Sequence, residues 1–540
     1  MKKIVLFVLT LLSFSGLFGQ MQFDLHENGN PFLTTTDNAP PFAATITAAD
    51  LRSYLEVIAS DEMEGRETGT EGQRKAADFI AAHFQKLGLP AIGDDNSYLQ
   101  KIAFTAEKWD NGEINLNING KRQKHLSDFY SFPSTNQALE SFEAEEVVFL
   151  GYGIDDPEYS DYNGVDVKGK TILIYSDEPV KKNGKSHLTG SKELSDWTTD
   201  FRKKLEAAYR HGVAMVLIID PDIKGNVSKN RSTFLSNEMK MGEGGQPEGR
   251  YANNMFISST SAKQIVGDKM DEFVKMRDAI KKKGKPNSLV FPCQISIVQK
   301  KEITQLTGSN VLGYLEGSDP ELKSEIVVVT AHYDHLGKRG NSIYNGADDN
   351  GTGTSAVMDI AQAFVEAKNK GEGPRRSILF MLVSGEEKGL LGSEYYSEHP
   401  VFPLENTVAN VNVDMIGRMD KNHNDPNYIY VIGSNRLSTD LHDINEAANQ
   451  AFTHIDLDYT YNAKNDPNRF YYRSDHYNFA KKGIPAIFFF SGVHADYHRT
   501  TDTVDKIMFD KMENIAKLVF YTTWELANRE ERIRVNVKGD

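Results

Sequence analysis

The chain has 540 residues, 61 Lys and Arg against 76 Asp and Glu, 39% hydrophobic residues and a single cysteine, Cys293. At roughly 100 to 200 residues per domain, this length and composition predict two to four globular domains and exclude a fibrous or disordered chain. Cys293 has no partner for a disulfide or a cysteine-based zinc finger, so we expect it to be a small buried apolar residue. The net charge of -15 argues against nucleic-acid or anionic-membrane partners.

The N-terminus has the pattern of a secretory signal peptide. Lys2 and Lys3 precede an apolar stretch from Ile4 to about Phe18, which is followed by Gly19. The stretch is shorter than a typical membrane-spanning helix, so we expect cleavage near Gly19, a secreted or periplasmic protein, and no stable membrane insertion after cleavage. A single uncleaved membrane anchor is the alternative.

The remaining chain divides by pattern into four parts. Residues 20–47, rich in Asn, Pro and Thr, predict a flexible lead-in, and residues 48–140 open with two amphipathic helices, from Thr47 and over about 70–87. Residues 141–300 contain short β-rich runs and one helix near 197–211, which predicts a separate, mostly β domain. Residues 301–535 alternate apolar strands with helices, which predicts an α/β fold with a mixed, largely parallel sheet.

Histidines and acids follow the strands of this last region directly. His332 and Asp334 follow one strand, Glu386 and Glu387 the next, and Asp414 the third, while His498 follows the last strand after a short loop. The carboxyl ends of parallel strands lie along one edge of the sheet, so these segments are expected to converge. Such nitrogen and oxygen donors suit Zn²⁺, with Mn²⁺ or Co²⁺ as substitutes, and they predict metal catalysis.

Five segments in this order resemble the M28 family of dinuclear zinc peptidases, which includes secreted bacterial aminopeptidases and the glutamate carboxypeptidase and transferrin receptor branch. The segments are His332-Tyr333-Asp334, Gly346-Ala347-Asp348-Asp349-Asn350-Gly351-Thr352-Gly353, Gly385-Glu386-Glu387-Lys388-Gly389-Leu390-Leu391-Gly392-Ser393, Asn412-Val413-Asp414 and Tyr497-His498. The resemblance implies a zinc-peptidase three-layer sandwich. Ser60–Arg66 is similar to the family's N-terminal region, and the β domain, with Gly151-Tyr152-Gly153, resembles an inserted protease-associated (PA) domain.

The resemblance also implies a role for each site residue. His332 and Asp414 would hold one Zn²⁺, Glu387 and His498 a second, and Asp348 would bridge both. Glu386 would be the general base that activates a metal-bridging hydroxide, which two metals can share.

Two further roles accompany this ligand set. Asp334 is expected to orient His332 by accepting its second imidazole N–H, and Tyr497 to stabilise the tetrahedral intermediate. The Asp348–Asp349 peptide bond is expected to be cis. His335 and His494 lie near the site without matching a ligand position, and Ser474-Asp475-His476 either lines the substrate pocket or caps a helix.

The implied function is an exopeptidase acting on peptide substrates, and we expect an aminopeptidase that recognises a free α-ammonium group through acids beside the metals. Several alternatives stay open. A carboxypeptidase or dipeptidase would need a basic clamp, for which Arg418, Arg469, Arg473 and Arg499 are candidates. A single-zinc glutaminyl cyclase, or a non-catalytic receptor-like protein of the same fold, is disfavoured by the complete ligand set.

Overall fold

The computed structural model describes residues 32–230, 234, 238–242 and 250–539. The predicted signal peptide and the first part of the predicted lead-in lie outside the described residues. The strands, in chain order, are β1 (Leu99–Ile118), β2 (Lys121–Arg122), β3 (Phe129–Tyr130), β4 (Leu139–Phe149), β5 (Asp155–Asp156), β6 (Tyr159–Ser160), β7 (Thr171–Tyr175), β8 (Met215–Asp220), β9 (Glu238–Met241), β10 (Asn253–Ser258), β11 (Leu289–Leu315), β12 (Ile326–His332), β13 (Gly337–Arg339), β14 (Ser342–Tyr344), β15 (Ser377–Val383), β16 (Thr407–Val413), β17 (Tyr428–Ile432), β18 (Asp456–Asp458) and β19 (Ala486–Phe490).

The α-helices of the described residues alternate with these strands. They are α1 (Pro40–Ala43), α2 (Ala48–Ile58), α3 (Glu71–Lys86), α4 (Asp196–Thr199), α5 (Arg202–Arg210), α6 (Ile223–Lys229), α7 (Ser259–Val266), α8 (Met270–Lys283), α9 (Gly353–Asn369), α10 (Leu391–Glu398), α11 (Thr439–Ala448), α12 (His476–Ala480) and α13 (Phe509–Asn528). Among these helices, none combines the length and apolar character needed to cross a bilayer.

The first body, residues 32–106 and 303–539, is a three-layer α/β sandwich. Its sheet has the order β18-β17-β19-β16-β12-β15-β11. Strands β15, β12, β16 and β19 are parallel to one another. β11 is antiparallel to β15 and β17 is antiparallel to β19, while the edge strand β18 is parallel to β17. Helices α2, α9 and α13 pack on one face, and α10 and α12 on the other. The predicted α/β fold with a mixed, largely parallel sheet is confirmed.

The strands of this sheet are buried on both faces. Every residue of β12, β15, β16 and β19 is buried, which is why their sequences are mostly apolar on both faces, with a few buried polar residues in β12 and β16.

The second body comprises the described residues between 107 and 302. Its strands β4, β7, β8 and β10 are parallel, and β11 and β3 flank them in antiparallel orientation. Helices α7 and α8 cover one face, and α5 and α6 the other. The sequence patterns indicated a mostly β domain with one helix, so the structure contains more helix than predicted. Cys293 is buried among apolar side chains, as predicted.

Two long strands, β1 and β11, join the bodies. They pair antiparallel from Leu99↔Val311 to Ile118↔Ile295, with an irregularity between Trp109 and Ile114. Apolar side chains before Glu107 pack in the first body and those from Trp109 onward in the second. The second body therefore begins inside β1, upstream of residue 141 where the β domain was predicted to start, because one continuous strand runs from the first body into the second.

The described part of the lead-in, residues 32–47, packs on the first body. Phe42 and Ile46 are buried in its core, and Phe42 stacks on Trp524 of α13. Thr34 and Thr35 donate hydrogen bonds to the carboxylate of Glu525. The expectation of a flexible lead-in does not hold for these residues, because the Pro-rich segment carries apolar side chains that the last helix buries.

Candidate metal centre

The parallel strands bring the predicted site residues to one sheet edge. In the registers of β12 with β15 and with β16, His332 is opposite Val383 and Thr330 is opposite Asn412. The turn Glu386–Lys388 begins three residues beyond Val383, and Asp414 comes two residues after Asn412. The three strands therefore deliver one histidine and three carboxylates to the same edge.

One group of donors surrounds His332. Its Nε2 atom lies 3.4 Å from Asp414 Oδ1, 3.9 Å from Glu386 Oε2 and 3.4 Å from Asp349 Oδ1. The other ring nitrogen, Nδ1, is 3.1 Å from the backbone carbonyl oxygen of Asp334. That carbonyl can only accept a hydrogen bond, so Nδ1 carries an N–H and Nε2 is the ring nitrogen that faces the acids.

A second group of donors surrounds Glu387. His335 Nδ1 lies 2.8 Å from Glu387 Oε1, and His498 Nε2 lies 3.4 Å from Glu387 Oε2. His498 Nε2 is also 3.1 Å from Asp349 Oδ2. The predicted pairing of Glu387 with His498 is thus present in the geometry, with His335 as an additional neighbour.

Asp349 lies between the two groups. Its Oδ1 faces His332 and its Oδ2 faces His498, so one carboxylate contacts both sets of donors. The sequence interpretation gave this bridging position to Asp348. The structure places Asp348 elsewhere, where its Oδ1 accepts hydrogen bonds from Gly417 N at 2.7 Å and Thr352 Oγ1 at 3.1 Å, and its Oδ2 lies 3.2 Å from His494 Nε2.

The assignment to Asp348 is therefore corrected by one residue, and the cis peptide bond is Asp349–Asn350 rather than Asp348–Asp349. The turn Ala347–Thr352 has irregular backbone angles at Asp349 and Asn350, so adjacent side chains leave it in unrelated directions. His494, which matched no ligand position, is the neighbour of Asp348.

Asp334 supports the site in a different way from the one predicted. Its carboxylate is 3.8 Å from His332 Nδ1, beyond hydrogen-bond distance, and the backbone carbonyl of Asp334 accepts the imidazole N–H instead. The Asp334 carboxylate accepts hydrogen bonds from the amides of Glu386 and Glu387 and from Thr68 Oγ1. These amides draw the carboxylate away from the ring, and it fixes the turn that presents both glutamates.

Two further predicted residues border the centre. Ser474 Oγ donates to Asp414 Oδ2 at 2.8 Å, so this residue orients Asp414 instead of capping α12. Tyr497 stacks on His498, with ring centroids 3.8 Å apart, and burial raises the pKa of its hydroxyl. The Tyr497 hydroxyl is therefore protonated at neutral pH and can donate a hydrogen bond into the cleft.

The charges of the centre demand positive partners. Burial lowers the pKa of His498, but contacts with Asp349 and Glu387 outweigh it and raise this pKa to about 10. Burial and the Asp349 charge raise the pKa of Glu387, yet contacts with His335 and His498 bring it down to about 2. A proton on His498 thus supplies positive charge that the carboxylates require, which is the charge a cation would bring.

The neighbouring Glu386 differs from Glu387 in its protonation. Burial raises its pKa well above the ordinary value, against the opposing effect of His332, and the charges of Asp414 and Glu387 add to the rise. The environment therefore separates two adjacent carboxyl groups into one that stays ionised and one that can carry a proton.

Several side-chain atoms that could bind a metal in this centre have no hydrogen-bond partner among the described residues. Asp349 Oδ2, Glu387 Oε1, Asp414 Oδ1 and both ring nitrogens of His335 are buried without a hydrogen-bond partner there. Buried polar atoms without partners are costly and uncommon. Imidazole and carboxylate donors converging in two groups have the chemistry of a zinc-type site, so the residues present fit a pair of metal ions.

A cleft opens over the centre. It is lined by the donors and by apolar and aromatic side chains, among them Met415, Phe470, Phe488, Phe490, Val493 and Tyr497. A neighbouring cavity of about 730 Å³ shares Phe470, Arg473 and Tyr497 with this cleft. Of the candidate arginines, Arg418 pairs with Asp496 at 2.9 Å, whereas Arg473 stacks on Phe470 and forms no ion pair with a described carboxylate.

Arg66 is the positioning residue that sequence reasoning did not single out. Its buried guanidinium donates to the carbonyls of Tyr333, Ile58, Asn345 and Gly346, which ties the loop after β12 to the loop that carries Asp349. An arginine that binds only backbone carbonyls leaves no pattern in the sequence. The role of Arg66 is therefore visible only in the structure.

The fold and the site define an α/β protein with two adjoining carboxylate–histidine groups at the carboxyl edge of its sheet. Residues 310–523 match the model of Peptidase family M28, and the chain contains a peptidase domain of that family. The chain is 33% identical over 215 residues to a probable leucine aminopeptidase of Arthroderma otae, which covers 38% of this chain and 56% of that protein. It is 27% identical over 239 residues to aminopeptidase YwaD of Bacillus subtilis, which covers 43% and 48% of the two chains.

These alignments span only about half the length of either relative. Among solved structures, the aminopeptidase from Aneurinibacillus sp. strain AM-1 is 18% identical, with a TM-score of 0.55, over 92% of this chain and 98% of that one. At this level of identity the likeness concerns the fold, and it extends over both bodies of the molecule.

Proposed function

We propose that this protein is a zinc-dependent aminopeptidase that removes N-terminal residues from peptides. The observation that carries the proposal is the pair of donor groups that share Asp349 at the carboxyl edge of the sheet. The M28 domain match and the aminopeptidase names of the relatives support it.

Two zinc ions would complete this centre. His332 and Asp414 would hold one and Glu387 and His498 the other, with Asp349 shared between them. Once bound, they would polarise the scissile carbonyl, lower the pKa of a shared water and stabilise the charge that develops on the carbonyl oxygen.

Glu386 is the proposed general base. Its carboxylate lies beside the first donor group, 3.9 Å from His332 Nε2, and its environment raises its pKa. Glu386 takes the proton of the attacking water and then delivers it to the leaving amine. Tyr497, at the cleft wall, donates a hydrogen bond to the oxyanion.

A carboxypeptidase is the second candidate, and Arg473 is the observation that favours it. Its guanidinium lines the cleft without a described carboxylate partner, and a guanidinium recognises a carboxylate through two hydrogen bonds. In the aminopeptidase, the free α-ammonium group is recognised by the acids of the centre instead.

We also propose that the protein is exported and that the second body is a PA-like domain that restricts access to the cleft. Residues 1–19 support export by their sequence pattern. Restriction of access to the cleft by the second body is supported by Met239 of β9. This residue packs with Leu391, just beyond the turn that carries Glu386 and Glu387.

The test is hydrolysis of aminoacyl-p-nitroanilides beside N-blocked and C-terminal dipeptide substrates. We expect cleavage of free-amine substrates only, and a fall in kcat of at least about 10²- to 10⁴-fold in Glu386→Gln with unchanged zinc content. Cleavage confined to substrates with a free C-terminal carboxylate, and lost in Arg473→Gln, would establish the carboxypeptidase. A protein that binds no metal and cleaves nothing would be receptor-like.

A further inference from the structure

His335 is a buried histidine beside the metal centre, and it has no role in the proposed two-zinc ligand set. The side chain is 0% exposed, and neither ring nitrogen has a hydrogen-bond partner among the described residues. A buried imidazole without partners pays its full desolvation cost, so its surroundings call for an explanation.

The surroundings of His335 are carboxylates of the metal centre. Its Nδ1 lies 2.8 Å from Glu387 Oε1 and 3.8 Å from Asp349 Oδ2. The contact with Glu387 has the length of a hydrogen bond, but neither atom makes one of acceptable geometry in the described structure. Nitrogen and oxygen atoms that lie this close without a hydrogen bond are typical of ligand atoms directed at the same metal ion.

The separations also suit a common metal. Two ligands bound tetrahedrally at about 2.0–2.1 Å lie about 3.3 Å apart. The contacts of Asp349 and Glu387 with His335 and His498 range from 2.8 to 3.8 Å. The buried His335 and the part-exposed His498 thus approach the same two carboxylates.

The backbone makes room for this ring. Gly346 has a φ of +55°, and a Cβ atom there would lie 2.5 Å from Cδ2 of His335. The backbone N–H of His335 also bonds to the carbonyl of Arg66, whose guanidinium holds the Asp349 loop. The segment that delivers His335 is therefore fixed to the segment that delivers the shared carboxylate.

We propose that His335 is a direct ligand, through Nδ1, of the metal held by Asp349, Glu387 and His498. This inference rests on the proposed zinc function. It makes the centre asymmetric, with four protein donors for this metal and three, namely His332, Asp349 and Asp414, for the other. The three-donor metal keeps the more open coordination sphere, and the four-donor metal is retained longer against a chelator.

The test counts the imidazoles bound to metal in the full chain loaded with two equivalents of Co²⁺. Each imidazole bound to Co²⁺ gives one strongly shifted, solvent-exchangeable N–H signal in the proton NMR spectrum. We expect three signals, from His332, His335 and His498, in the wild type. His335→Gln should lose one signal, and zinc affinity should fall by about 10–100-fold or more.

His476 provides the matched control. It is also fully buried with both ring nitrogens lacking a described hydrogen-bond partner, but it packs against Tyr471 and Phe488 instead of facing acids. His476→Gln should keep all three signals. If His335→Gln fails to fold, the number of shifted N–H signals in the wild type and in His335→Phe still tests whether His335 is a ligand.

Two signals in the wild type, or an unchanged spectrum in His335→Gln, would overturn the ligand role and leave the two-metal proposal standing. Zinc affinity alone does not separate a ligand from a residue that only hydrogen-bonds to one, which is why the count is needed. A wild-type protein that binds no metal would overturn this inference together with the proposed function.

Discussion

Buried charged side chains are arranged in opposite ways in the two bodies of the molecule. In the second body, Lys204 Nζ donates to the carbonyls of Tyr175, Ser176 and Asp177. Asp161 accepts hydrogen bonds from two backbone amides and from Tyr159. Each of these charges has several partners within the fold.

The carboxylates of the first body's centre are equally buried but lack such partners. Asp349 Oδ2, Glu387 Oε1 and Asp414 Oδ1 face one another and histidines, with no hydrogen-bond partner among the described residues. Satisfied buried charges stabilise a fold, whereas unsatisfied ones clustered in a cleft are expected to bind something. Buried charged residues therefore have a structural role in the second body and a functional role in the first.

The largest expected effect comes from Asp349, because both donor groups share it. Asp349→Ala should abolish activity and reduce the bound metal from two ions to one or fewer. Zinc analysis and kcat on the same preparation measure both effects.

Asp348→Asn is the matched control for the neighbouring position. It keeps an oxygen that can accept from Gly417 and Thr352 and replaces the oxygen that faces His494 with an NH₂ group, so we expect a loss of about 10–100-fold in metal affinity or activity. The reverse order of effects would restore the original assignment of the bridge to Asp348.

An intermediate effect, on stability alone, is expected in the second body. Lys204→Met leaves three backbone carbonyls without their donor, so unfolding free energy should fall by at least about 1–3 kcal/mol. Urea unfolding measures this change, and zinc content should stay constant.

Lys203→Met is the control for Lys204→Met. Lys203 is exposed and pairs with Asp196 at the surface, so its loss should cost about 0–1 kcal/mol. Equal effects of the two substitutions, or lost zinc in Lys204→Met, would contradict the structural role assigned to Lys204.

The last expected effect concerns only how stability depends on pH, and it comes from Asp359, a buried acid of α9 outside the metal centre. Burial, with help from the Asp50 charge, raises its pKa from 3.8 to about 8. The folded state therefore holds a proton that the unfolded state releases, and stability falls as pH rises from about 4 to about 8.

Asp359→Asn removes this pH dependence. We expect the variant to gain Tm relative to the wild type at pH 8 and to gain less at pH 5, as thermal unfolding at the two values would show. Asp510→Asn, at an exposed position of α13, should change little at either pH. A larger gain at pH 5 than at pH 8 would contradict the raised pKa.

The sequence predicted the sheet of the first body because its strands are buried on both faces and appear as nearly continuous apolar runs. It missed β1, in which the continuously buried residues 104–107 and the exposed residues 111–113 interrupt the alternation of buried positions. The lead-in was mispredicted because Phe42 and Ile46 find their partners far along the chain, on the last helix among others.

The sequence named loops that the structure brings together, and it placed the proposed shared carboxylate one residue away from Asp349. The order of segments indicated which loops meet, but it could not decide between Asp348 and Asp349, because the choice depends on backbone angles inside an irregular turn. The sequence placed His335 near the site but gave it no role. Its contacts with Glu387 and Asp349 arise only when two loops fold together.

Anomalous diffraction at the zinc edge, from crystals of the zinc-loaded protein, tests the central claim most directly. We predict two peaks about 3.5–4 Å apart on either side of the Asp349 carboxylate, one beside His332 and Asp414 and the other beside Glu387 and His498. A single peak, or a peak between Asp348 and His494, would contradict the two-metal centre built on Asp349.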